Sequence, residues 1–301
     1  MQILDRHVVP AGAEPERLDK VAHLAFGAFP TKSAARKAVR RGEVLLDGEH
    51  VESSRWVRSG QVVTVVESSQ PLPPVYTLQT LEVAFEDDSM AVVVKPPGIP
   101  VNGNRHRTLE HALPPFLAPS TRPDALRMPR PAHRLDGPTG GLVAVAKTAT
   151  ALAGLSEAFH RRDVSKRYEA LTVGRLDGKG RVTEPLDGRD ADTTWEALEH
   201  ARTLKPDWVT RVALFPHTGR THQLRRHLAH LGTPILGDKQ YARDGLLYRG
   251  KGLFLWAVAL ELPHPVTGAR LAIEIPPPAK FASFMAREQR RWERHHGSSS
   301  E

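Results

Sequence analysis

The chain has 301 residues, with 42 Lys and Arg against 34 Asp and Glu, a net charge of +8 with His neutral. It contains no cysteine, which excludes thiolate nucleophiles, iron–sulfur clusters, cysteine-ligated zinc and a disulfide scaffold. No apolar run approaches the ~18 residues of a membrane span, and the start lacks the apolar core of a secretory signal. A cytoplasmic protein of about two domains is expected, with no membrane association and with a polyanion as its partner.

Residues 1–15 read as an N-terminal arm, and residues 16–67 as a first compact unit. Leu18, Val21, Ala22 and Ala25 recur at helical spacing, and a second helix starts near Thr31 or Ser33, either a suitable cap, and stops at Gly42. Asp47-Gly48 between two apolar runs predicts a hairpin, and Trp56, Val57 and Val62–Val66 supply further strands.

The second helix carries Lys32, Arg36, Lys37, Arg40 and Arg41 and no acid. At about 100° per residue, Lys32, Arg36 and Arg40 line one side, and Lys37 and Arg41 widen it. Such charges repel one another, a cost that a phosphate backbone relieves; the plain alternative is a solvated face. The segment RLDKVAHLAF…SAARKAVRRGEVLLDGEHV…SGQVVTV resembles the small RNA-binding domain named for the fourth small-subunit ribosomal protein, the S-four module. That resemblance implies a grip on structured RNA by backbone and shape.

Residues 68–80, rich in Ser and Pro, read as a linker. A second domain is expected over 81–290 and a polar tail over 291–301. Strands are predicted at Leu81–Phe85, Ala91–Val94, Gly141–Ala146, Arg167–Val173, Trp208–Phe215, Leu253–Leu262 and Arg270–Ile275. Helices are predicted near Ala149–Arg161, over Thr221–Leu231 with Thr221 as cap, and at the basic C-terminal end.

Within HRLDGPTGGLVAVAKT, Asp136 stands at the mouth of an apolar strand, where a carboxylate can project into a cleft; it can equally open an Asx turn before Gly137-Pro138. In FPHTGRTHQLRRHLAHLGTPILGDKQY, Leu224, Leu228 and Leu231 mark the packing face of a helix. Arg225 lies at its edge, placed either to reach into a cleft or to snorkel out to solvent. The histidines at 217, 222, 227 and 230 lack a carboxylate at ligand spacing, so no metal is expected.

The ordered motifs VVVKPPGIPV, HRLDGPTGGLVAVAK, SKRYEALTVG and HTGRTHQLRRHLAHLGTPILGD resemble the RluA-type pseudouridine synthase family from about Leu81 to Ile275. The resemblance implies an α+β catalytic domain on a mixed, mainly antiparallel sheet. It implies Asp136 as the essential aspartate, Tyr168 as the active-site tyrosine and Arg225 as the basic partner of the aspartate. Arg134 becomes the residue that wedges into RNA where the target leaves the stack, and Arg220 and Gln223 fall among the RNA contacts.

Converting uridine to pseudouridine breaks the ribose–N1 bond, turns the ring and joins C5 to the same carbon. No electron is transferred to or from the nucleoside and no group is lost, so no cofactor is expected. The carboxylate either attacks the anomeric carbon or removes a ribose proton. An aromatic ring can hold the flipped base, or simply pack in the core. Two positions depart from the family pattern: Gly140 replaces a serine and Trp256 replaces a histidine. The partner implied is structured RNA, ribosomal before transfer, and the protein is expected to be a monomer. The rival readings are an inactive RNA-binding factor of this fold and a nucleoside hydrolase.

Overall fold

A computed structural model of the chain describes residues 3–26, 29, 31–66, 74–103, 105–242 and 252–297. The N-terminal unit consists of β1 (Ile3–Val8), β2 (Glu16–Arg17), α1 (Leu18–Ala25), α2 (Lys32–Arg40), β3 (Val44–Leu46), β4 (Trp56–Val57) and β5 (Val62–Val66). Leu18, Ala22, Ala35, Ala38 and Val39 from the two helices close over Val44, Leu46, Val63 and Val65 of the strands. Thr31 caps α2 by accepting from the Ala34 amide at 3.1 Å.

Three expectations for this unit need correction. Residues 3–8 are not a leading arm: β1 pairs antiparallel with β5 and completes the sheet β1-β5-β3. Asp47-Gly48 does turn the chain, but the turn is closed only by a Leu46–Glu49 bridge, and the partner of β3 is β5. The reason lies in Asp47, whose carboxylate accepts from the Val62 amide and the Gln61 side chain, both at 2.7 Å, and so ties the turn to β5. The charge on α2 is also less bare than its sequence. Asp19 of α1, fully buried, accepts two hydrogen bonds from Arg36 at 3.0 and 2.8 Å and lies 3.7 Å from Lys32. Arg41 pairs with Glu43, which leaves Lys37 and Arg40 exposed and without an ion pair among the described residues.

The second domain contains β6 (Glu82–Glu86), β7 (Met90–Lys95), α3 (Leu109–Ala112), β8 (Ala125–Pro131), β9 (Gly140–Thr148), α4 (Ala149–His160), β10 (Ser165–Val173) and β11 (Lys179–Val182). It continues through β12 (Thr193–Arg202), β13 (Trp208–Pro216), α5 (Gln223–His230), β14 (Leu255–Pro263), β15 (Arg270–Glu274) and α6 (Lys280–Gly297). Among the described residues these strands form one ten-stranded sheet, β11-β12-β13-β10-β14-β9-β7-β6, with β15 beside β14 and β8 beside β9. All of its pairings are antiparallel except β9 with β14.

β7 and β9 read as unbroken apolar runs because both of their faces are covered. Val92 and Ala144 pack with α4 on one face, and Val93 and Val143 meet Leu109 and Leu135 on the other. Further along the sheet, Ala170, Val212 and Leu214 face α5, while Leu171, Val173 and Val209 face Phe281, Phe284 and Met285 of α6. That alternation puts Tyr168 on the α5 side.

α5 begins at Gln223, and its N-cap is His222 in the left-handed conformation with φ 54°, so Thr221 is not the cap. The start of the expected tail, 291–297, belongs to α6, while 298–301 and the first part of the linker (68–73) lie outside the described residues. No helix of the described residues is long and apolar enough to cross a membrane.

Candidate active site

Asp136 sits in the turn between β8 and β9. The Thr139 amide closes that turn by donating to the Asp136 carbonyl at 3.0 Å, so the backbone makes the turn and the carboxylate is left for the cleft. The next carbonyl, of Gly137, accepts from the Gly98 amide at 2.8 Å and from Lys95 Nζ at 3.2 Å. Lys95 is fully buried at the end of β7 and also donates to the Ile99 and Pro96 carbonyls at 2.8 and 2.9 Å. Burial pushes its ammonium down to about 7, with the Asp136 charge opposing. The lysine thus staples two loops together beneath the carboxylate.

Arg225 comes from the first turn of α5 and is only 5% exposed, so its stem does not snorkel outward. Its Nη1 lies 3.6 Å from Asp136 Oδ2, an ion-pair contact longer than a hydrogen bond. Its other nitrogens are held from behind: Nε and Nη2 donate to the two oxygens of buried Asp238 at 2.7 and 2.8 Å, and Nη2 also reaches Gln240 at 3.3 Å. Burial raises the Asp238 carboxyl, but the Arg225 hydrogen bonds and the amides of Gln240 and Tyr241 outweigh it and hold the group below the usual carboxylate range. The Tyr241 ring covers the guanidinium at 5.0 Å. A second neighbour, His222, places Nε2 at 3.9 Å from Asp136 Oδ1 while its Nδ1 meets the Tyr241 hydroxyl at 2.9 Å.

Tyr168 of β10 packs against both the Leu135 and the Leu224 clusters. Burial, reinforced by the charge of Asp136, pushes its phenol above the usual tyrosine range, so it stays neutral. A cleft of about 940 Å³ opens over these groups, lined by Arg134, Asp136, Tyr168, Arg220, Gln223 and Arg225. Arg134 is exposed there, and Arg220 donates through Nε to the Asp190 carbonyl at 2.8 Å.

Gln223 needs a different role from the RNA contact expected of it. It is 4% exposed; its amide donates to the Asp192 carbonyl and Thr193 Oγ1, and its oxygen accepts from Thr218 Oγ1 and the Arg220 amide. With its donors and acceptor engaged, it shapes the 218–223 loop that carries His222 and Arg220. His227, buried, is likewise spent on Thr193 Oγ1 and the Glu184 carbonyl. Among the described residues no three His, Asp or Glu side chains converge as metal ligands would.

The two departures at 140 and 256 turn out to be one packing relationship. Gly140 and Trp256 are register partners of the β9–β14 pair, and a Cβ on Gly140 would fall 2.0 Å from Cζ3 of the indole. A serine at 140 and a tryptophan at 256 therefore exclude each other in this backbone.

The profile of the RNA pseudouridylate synthase family matches residues 89–230, which span Asp136, Tyr168 and Arg225. The chain is 33% identical to the ribosomal large subunit pseudouridine synthase D of Xanthomonas campestris, over 94% of this chain and 92% of that one. It is also 33% identical to the protein of the same name in Pseudomonas aeruginosa, over 91% and 92%. The chain belongs to the RNA pseudouridylate synthase family. Its fold agrees: human RNA pseudouridylate synthase domain containing 1 superposes with a TM-score of 0.57 at 26% identity, over 67% of this chain and 86% of that one. The enzyme is an RNA pseudouridine synthase, an isomerase.

Sequence reasoning brought Asp136, Tyr168, Arg225, Arg134 and Arg220 to this synthase's cleft but missed Asp238, His222, Tyr241, Lys95 and Lys166. A buried arginine that meets Asp136 only at 3.6 Å demands a closer carboxylate, and the Asp of GDKQY supplies it. Lys166 lines the cleft, where burial lowers its ammonium, and forms no hydrogen bond or ion pair among the described residues.

Proposed function

We propose that this synthase isomerises a uridine of ribosomal RNA, with Asp136 as the carboxylate that acts on the nucleoside. The observation that carries the reading is the Arg225–Asp136 contact of 3.6 Å at the floor of a cleft large enough for an extruded nucleotide. The relatives whose names specify the large ribosomal subunit supply the RNA class.

In this reading the negative charge of Asp136 is compensated by Arg225, itself immobilised by Asp238, so the oxygen is aimed without being consumed by a hydrogen bond. The neutral ring of Tyr168 supports the flipped uracil. The bond from C1′ to N1 breaks, the ring turns and C5 bonds to C1′; C5 gives up its proton and N1 ends with one, so the atoms balance without a cofactor. Asp136 serves as nucleophile at C1′ or as base at the ribose. Arg134, exposed at the rim, fills the vacancy in the stack, and the unpaired ammonium of Lys166 and the guanidinium of Arg220 receive the backbone.

The N-terminal unit acts as the S-four-like RNA grip, with Lys37 and Arg40 as its free cations, and the protein works as a monomer in the cytoplasm. The test is to incubate the purified protein with unmodified large-subunit ribosomal RNA and with transfer RNA and to map pseudouridine chemically. New pseudouridine in the ribosomal transcript is expected. Binding with no new site would return the protein to an inactive RNA-binding factor, and released uracil would make it a hydrolase.

A further inference from the structure

Next to the catalytic cleft, at the β11–β12 end of the sheet, lies a second hollow of about 370 Å³, within the ~300–1,000 Å³ range of small-ligand sites. We propose that it is a stacking site for a nucleobase of the substrate strand that flanks the extruded uridine, with Trp195 as its platform. The proposal rests on the isomerase reading above for the identity of the strand and goes beyond it by assigning a second nucleotide position.

Three observations support this occupant. First, Phe215 lines both the hollow and the cleft, so the two adjoin at that residue, within reach of the nucleotides next to an extruded one. Extruding one nucleotide unstacks its neighbours, which then need another surface to cover them.

Second, the sequence at Gly180 serves Trp195. These two are register partners of β11 and β12, and a Cβ on Gly180 would fall 2.8 Å from Cζ2 of the indole. The φ of Gly180 is not in the left-handed region, so no backbone strain calls for glycine; the close approach of the indole does. Trp195 thereby lies over a paired strand, half-buried against the α5 side of the sheet, with part of its ring open to the hollow. A large aromatic surface held by a sheet is already organised for binding before any ligand arrives.

Third, the charges around the hollow offset one another. Arg181 donates to both oxygens of Asp192 at 2.8 and 2.6 Å, and Lys179 stands opposite Glu196 in register. Such a rim does not select a phosphate. It suits the uncharged face of a base, while the phosphates are left to the unpaired cations of the main cleft. Stacking of this kind tolerates any base, because every base has a π-face.

The test compares wild type with Trp195→Leu, which keeps apolar volume against Leu214, and Trp195→Phe, which keeps a ring. Unmodified large-subunit ribosomal RNA transcript is the probe, in binding and in single-turnover assays. Trp195→Leu is expected to bind about 5- to 150-fold more weakly. Its rate at saturating RNA should be unchanged, and Trp195→Phe should recover most of the affinity. Equal affinity of wild type and Trp195→Leu, or equal losses in the two variants, overturns the proposal. Should Trp195→Leu fail to fold, wild type decides alone. On transcript substituted with 5-iodouridine, irradiation should cross-link Trp195, and cross-links confined to other residues, Phe215 of the cleft included, overturn the proposal. The binding and cross-linking readouts do not require turnover. Cross-linking at Trp195 without pseudouridine supports the stacking site while removing the isomerase reading.

Discussion

Arg225 gives its two shortest hydrogen bonds to Asp238, at 2.7 and 2.8 Å, and meets Asp136 only at 3.6 Å. The arginine that faces Asp136 is therefore committed to a different carboxylate. An arginine bound bidentately to Asp136 would occupy both of its oxygens; held from behind, it supplies charge and leaves them open.

Asp136→Asn should remove isomerisation, by at least ~10²-fold, while leaving RNA affinity intact, because the carboxylate repels phosphate and its turn is closed by its backbone. Chemical mapping of pseudouridine beside a binding isotherm measures both, and surviving activity would show that another group does the chemistry.

Asp238→Asn breaks a buried pair and should destabilise the fold by about 3–5 kcal/mol while lowering the rate through a loosened Arg225. The pH dependence has a definite sign. The folded-state carboxyl is held below its unfolded value of about 3.9, so its stabilisation is full above pH ~4 and is lost as pH falls through the lower folded value. Thermal melts of wild type should therefore fall more steeply with acid than those of Asp238→Asn.

Gly140→Ser alone should destabilise the β9–β14 junction by driving a side chain into the Trp256 ring, and Trp256→His alone should leave a gap. The double variant should recover part of both losses, with a coupling of about 0.5–3 kcal/mol in a double-mutant cycle. Strict additivity would mean that the two positions act independently.

On α2, replacing Lys37 and Arg40 by Ala should flatten the salt dependence of RNA binding by about 0.7–0.9 log units per lost phosphate contact. Arg36→Ala should instead lower the melting temperature, because it strips the main partner from buried Asp19. Filter binding across a salt series, with melts alongside, separates the two effects.

The catalytic core was legible because its signals are local. The uninterrupted apolar runs of β7 and β9 announce strands covered on both faces, Leu224 and Leu228 mark the packing side of α5 although Leu231 turns out exposed, and the motifs around Asp136 and Arg225 carry their own spacing. What escaped depends on contacts between distant segments. Asp19 reaches α2 from the preceding helix, Asp238 reaches Arg225 from beyond the end of α5, and Gln223 has its polar atoms absorbed by residues on β12 and the loop before α5. β11 and β12 were missed for a similar reason: they form the margin of the sheet, where charged and small residues alternate with few apolar ones. The hairpin at Asp47 failed because a turn signal specifies where the chain reverses and not which strand it then joins.

The strand Ile3–Val8 has a practical consequence for anyone handling the N-terminal unit in isolation. It is the outermost member of its sheet, and β5 depends on it for a row of main-chain partners. A chain shortened to begin at Glu16 would expose that row along Val62–Val66, a flat, mostly valine ladder of the kind that recruits other molecules edge to edge. Such a fragment would self-associate, and any loss of function in it would have to be separated from the missing hem of the sheet.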